Sequence, residues 1–65
     1  MNRLKEARFI RQKTQIQLFK ETGIWASKVS YIENGYLNPT EREKIKLSNA
    51  LGVNKDWLFP EEGKD

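Results

Sequence analysis

The chain has 65 residues, a net charge of +3, 37% hydrophobic and 32% charged residues, and neither cysteine nor histidine. That length allows one small domain, and the balance of apolar and charged residues is that of a folded soluble chain rather than a disordered one. The missing residue types exclude disulfide frameworks, thiolate nucleophiles, Cys/His zinc sites and histidine general bases; no apolar run approaches the roughly 20 residues of a membrane span, and the opening residues carry no signal-peptide core, so a cytosolic chain is expected.

Apolar residues recur at helical rather than strand spacing, which predicts an all-α chain of five short helices. The first spans about residues 3–11, with Asn2 as its cap and Leu4, Ala7 and Ile10, broadened by Phe9, as its apolar stripe. The second opens at Thr14, where Thr14-Gln15-Ile16-Gln17 fits a capping box, and stops at Gly23. The third runs from about Ala26 to Asn34 and ends at Gly35. A loop from Tyr36 to Pro39 leads to a second capping box, Thr40-Glu41-Arg42-Glu43. The fourth helix follows it as far as Gly52, with Ile45, Leu47 and Leu51 expected inside. The fifth is short: Asn54 caps it, Val53 staples onto Leu58, and Pro60 stops it. This predicts a domain over residues 1–59 and a polar tail over 60–65.

Charge is uneven along the chain. Residues 1–28 hold seven bases and two acids, residues 29–65 five bases and seven acids. A basic half of this kind suits a polyanion, most commonly nucleic acid. The stretch Gln15 to Gly35 places two helices of about eight residues around the short turn Gly23-Ile24-Trp25, the layout of a helix-turn-helix. Leu18, Ile24, Val29 and Ile32 must face inward to lock the two helices. At 100° per residue, Ser27 and Tyr31 lie roughly opposite Val29, so Ser27, Lys28, Ser30, Tyr31 and Asn34 form the outer face of the third helix. Those side chains suit bases and phosphates, although any amphipathic helix pair presents a polar outer face.

Several segments in register resemble the phage Cro and repressor-type, or XRE, helix-turn-helix family. They are Leu4-Lys5-Glu6-Ala7-Arg8-Phe9, Thr14-Gln15 with Leu18, Gly23-Ile24, Val29-Ser30-Tyr31-Ile32-Glu33-Asn34-Gly35 with Asn38-Pro39, and Ala50-Leu51-Gly52-Val53-Asn54-Lys55-Asp56-Trp57-Leu58-Phe59. The resemblance covers residues 3–59. It implies a compact five-helix lambda-repressor-like fold and a sequence-specific regulator of double-stranded DNA, repressor-like, acting as a homodimer on an inverted repeat. It also implies a cytoplasmic, bacterial or phage-encoded protein. By the same resemblance Gln15 meets a phosphate at the start of the second helix. Trp25, Ala26, Ser27, Ser30 and Tyr31 read bases, with Lys28 beside them for phosphate. Asn34, the amide of Gly35, Tyr36 and Leu37 form a second phosphate clamp, to which Thr40 adds a contact. Arg8 and Glu33 match a charged pair tying the first helix to the third, and Trp57, Leu58 and Phe59 a terminal segment that packs the core and, in relatives, often borders a dimer interface.

The sequence departs from that pattern in places. Phe19 and Thr22 stand where small and apolar residues are usual, so Phe19 is expected to fill space that Thr22 vacates. Trp25 stands at a Ser/Thr capping position, so the third helix is expected to begin later, at Ser27. Trp25 suits a sugar or a thymine methyl, and equally a protein partner. Ala26 brings no hydrogen-bonding group to a base-reading position. Lys13, Glu41 and Lys44 are polar where apolar residues are usual. A protein-interaction module of antitoxin or adaptor kind, built on Trp25, Tyr31, Tyr36 and Leu37, is therefore the alternative to DNA binding. An enzyme is not expected: there is no phosphate loop and no carboxylate pair at useful spacing, and no metal or cofactor site is visible.

Overall fold

Residues 2–60 are described by the structure, a computed structural model; the stretch 61–65 of the expected polar tail lies outside the described residues. Five helices follow one another with no strand among the described residues: α1 (Leu4–Ile10), α2 (Gln15–Thr22), α3 (Ala26–Glu33), α4 (Glu41–Leu51) and α5 (Lys55–Leu58). The all-α fold predicted from periodicity is thus the observed one. α2 packs on α3 and α4, α1 on α3, and α5 on α4. Leu4, Ala7, Leu18, Ile24, Val29, Ile32, Leu47, Leu51, Leu58 and Phe59 form a single core.

The helix starts follow from side-chain chemistry. Both capping boxes form: Thr14 Oγ1 accepts from the Gln17 amide and Thr40 Oγ1 from the Glu43 amide, with Gln17 and Glu43 reaching back to the cap amides. Asn54 Oδ1 accepts from the amides of Asp56 and Trp57 at the start of α5. Asn2 acts one residue ahead of α1's formal cap, Arg3: its Oδ1 accepts from the Leu4 amide and its Nδ2 donates to the Ile32 carbonyl of α3.

α3 begins at Ala26, where the helical spacing put its start, and not later at Ser27, as the departure at Trp25 suggested. Trp25 takes the cap position through its backbone alone: its carbonyl accepts from the Val29 amide, and its side chain makes no capping bond.

Two stripes differ from expectation. Phe9 and Ile10 are 62% and 63% exposed, while Arg8 is buried with Leu4 and Ala7. Two consecutive steps of three residues drift round the helix, leaving Ile10 about 120° from Leu4, whereas Arg8 lies about 40° from it. Ile45 is 46% exposed because it sits about 160° from Leu47, and Ser48 takes the inward position.

Candidate nucleic-acid interface

α2 and α3 meet at an angle set by buried Leu18, Ile24, Val29 and Ile32, the four residues expected to lock them. Gly23 ends α2 with φ +80, a conformation that side-chain-bearing residues adopt only at a cost. The buried Thr22 hydroxyl donates to the Leu18 carbonyl and accepts from the Ile24 amide, which fastens the turn from within.

The pairing expected of Arg8 and Glu33 is present, and it reaches further. Arg8 Nε and Nη2 donate to Glu33 Oε2 and Oε1 at 2.6 and 3.3 Å, with side chains 11% and 3% exposed. Arg8 Nη1 donates to the Lys13 carbonyl at 3.0 Å. Gln15 Nε2 donates to the same Glu33 Oε1 at 3.2 Å. Glu33 thus gathers α1, the first residue of α2 and the last turn of α3 at one carboxylate, and Arg8 adds the loop ahead of α2. Gln15 is held at a helix start, where unsatisfied amides and the helix dipole favour an anion.

On α3, Ser27, Tyr31 and Asn34 are exposed, Ser30 is half-buried between them, and Ala26 is half-buried at the first helical position. Lys28, expected to face phosphate, is bound to Glu43 Oε2 of α4 at 2.5 Å. Glu43 also caps α4, so one carboxylate joins α3 to the start of the next helix. Burial acts to raise the Glu43 pKa, but the Lys28 hydrogen bond, the Thr40 amide, the Lys28 charge and the Thr40 hydroxyl together hold it below its ordinary value of 4.5.

The loop after α3 shows how Gly35 is held. The Gly35 amide, expected to bind phosphate, donates to the Ile32 carbonyl at 3.1 Å, and the Tyr36 amide donates to the Tyr31 carbonyl at 2.9 Å. These two bonds are those of a Schellman ending, with Gly35 at φ +79. Gly35 therefore shapes the turn with an amide that is already engaged. Asn34 Nδ2 donates to the Ser30 carbonyl at 3.0 Å, leaving its Oδ1 on the exposed side. Tyr36, Leu37 and Thr40 are exposed, and the Tyr36 ring meets the Tyr31 ring edge-on at 6.4 Å.

The basic half is less open than its charge count suggests. Arg8, Lys13 and Lys28 pair with Glu33, Glu21 and Glu43. Arg11 binds the Leu51 and Gly52 carbonyls at the end of α4, and Lys13 also binds the Ala50 carbonyl. Arg3 donates to the Trp57 carbonyl, its guanidinium 5.1 Å from the Trp57 ring. Lys5 and Lys20 are the bases of this half with no such partner among the described residues.

Sequence reasoning missed one feature. Phe19, half-buried, stacks on Trp25 with ring centroids 4.9 Å apart and planes 14° from parallel. Phe19 therefore turns toward Trp25, while Thr22 keeps its own buried place. Phe19 and Trp25 were both conspicuous as departures; the Gly23 turn between them was the signal that they meet.

The helix-turn-helix domain family model matches residues 1–64. No curated protein and no solved structure matches the chain. With the five helices, the Gly23 turn and the outward face of α3 in place, the chain belongs to the helix-turn-helix domain family, in keeping with an XRE-type domain.

Proposed function

We propose that this chain is a transcriptional regulator of repressor type that reads double-stranded DNA with α3 in the major groove. In this reading a homodimer occupies an inverted repeat whose half-site centres lie about 34 Å apart. Residues 1–59 form the binding domain and 60–65 a polar tail; the protein is cytoplasmic and not an enzyme. The observation that supports the reading is the junction at Glu33, which ties Gln15 at the start of α2 to the last turn of α3. A rigidly mounted polar helix face flanked by a helix start suits base edges and a neighbouring phosphate together. Gln15, Asn34, Tyr36 and Thr40 are the phosphate-side contacts; Trp25, Ala26, Ser27, Ser30 and Tyr31 face bases. Lys28 acts through Glu43 unless DNA displaces that pair.

Selection of bound duplexes from a random pool at about 150 mM salt, where non-specific binding is weak, tests this reading. Enrichment of an inverted repeat is expected. A folded protein that enriches no sequence would overturn it. Trp25, 69% exposed, favours the second reading, a protein-interaction module. Loss of partner capture in Trp25→Ser with duplex binding intact would select it.

A further inference from the structure

We infer that Phe19 and Trp25 form a fixed apolar plate that, with Ala26, selects a thymine through its C5-methyl group. The inference rests on the DNA-binding reading and adds a specificity determinant and a positioning residue to it.

Trp25 lies immediately before the first residue of α3, with its carbonyl bonded to the Val29 amide. Its backbone is thus tied to the helix that carries the outward polar face. Phe19 covers one side of its ring, at 4.9 Å and nearly parallel. The ring nevertheless stays 69% exposed, so the stack orients a large apolar surface without burying it. The free side of the ring offers an apolar surface held in a fixed plane, and covering it would be favourable. Ala26, half-buried at the first helical position, follows Trp25 with no side chain beyond a methyl group.

The chemistry of the major groove narrows the choice. Of the groups that base pairs present there, the thymine C5-methyl is the apolar one; the others are hydrogen-bond donors and acceptors. Ser27 and Ser30, next along α3, have hydroxyls for those polar groups. The helix therefore changes along its length from an apolar start to a polar middle. Phe19 acts through Trp25: it fixes the ring plane, and contact with DNA is left to Trp25 and Ala26.

The test uses the selected half-site, with each thymine replaced singly by deoxyuridine, which lacks only the methyl group. For the unaltered protein, one position per half-site should lose about three- to five-fold in affinity, the scale of burying one methyl group. In Trp25→Ser that penalty should vanish at that position. Phe19→Ala should reduce it, and Phe19→Tyr, which keeps the stack, should restore it. The ratio between thymine and deoxyuridine duplexes is insensitive to a general loss of folded protein, which separates positioning from stability. A duplex that binds with no deoxyuridine penalty anywhere, or a penalty that persists in Trp25→Ser, would overturn the inference and leave the DNA-binding reading standing. Absence of any duplex binding by the folded protein would remove both.

Discussion

Glu33 accepts from Arg8 and Gln15 at one carboxylate that is almost wholly enclosed. Removing one member of such a pair leaves the other charged and buried. Glu33→Ala is therefore expected to cost about 3–5 kcal/mol in urea denaturation, a large share of the stability of so small a domain. The double variant Arg8→Met with Glu33→Leu removes both charges and should keep the fold. Its Gln15 would lose its partner, so duplex affinity should fall although the protein remains folded. Glu43 makes a second residue-level prediction. Its folded pKa lies below 4.5, so its contribution is fully present above the unfolded value and is lost as pH falls through the folded one. The stability advantage of the unaltered protein over Glu43→Gln should shrink as pH falls below the ordinary carboxylate value of 4.5, measured by thermal melts at descending pH. An unchanged gap would show that Lys28 and Thr40 do not hold the charged form.

At the scale of elements, α1 and α3 close with the same two backbone bonds but with different residues at the left-handed position. Gly35 serves after α3, Gln12 after α1 with φ +57. A side chain in that region costs roughly 1–2 kcal/mol, partly offset by the freedom that glycine gives the unfolded chain. Gln12→Gly should thus stabilise the domain by roughly 1 kcal/mol, and Gly23→Ala should destabilise it by about as much. A Cβ at Gly23 would meet nothing within 4 Å, so the second effect is conformational and not steric. Gln12 also marks where local signals run out. Thr14, Thr40 and Asn54 act on amides two or three residues away, and the helix starts were legible from them. Gly23 and Gly35 were legible as stops for the same reason. Phe9, Ile10 and Ile45 were misplaced because apolar character in a short helix says little about which side meets a neighbour. At the candidate interface, the Arg8–Glu33 pair and the polar face of α3 could be read. The engagement of Lys28 by Glu43, of the Gly35 amide by Ile32 and of Trp25 by Phe19 depends on long-range approach or turn geometry that no spacing rule contains.

For the whole molecule, the distribution of charge decides how binding responds to salt. Five of the seven bases in residues 1–28 are engaged within the domain, three of them by carboxylates. Duplex affinity is therefore expected to fall with salt at a logarithmic slope shallower than the roughly −6 per domain that seven free bases would produce. Titrations between about 50 and about 200 mM salt check this. A slope near −6 per domain would mean that the internal pairs open on DNA. The two tryptophans stand apart in this molecule: Trp57 lies under Arg3 at the α5 end, and Trp25 lies against Phe19 at the start of α3. Their fluorescence can be separated by substitution. With Trp57→Phe, the remaining emission comes from the face proposed to meet DNA; with Trp25→Phe, it comes from the packing of the terminal helix. One protein thus contains its own dye for occupancy and another for folding, each readable without a label.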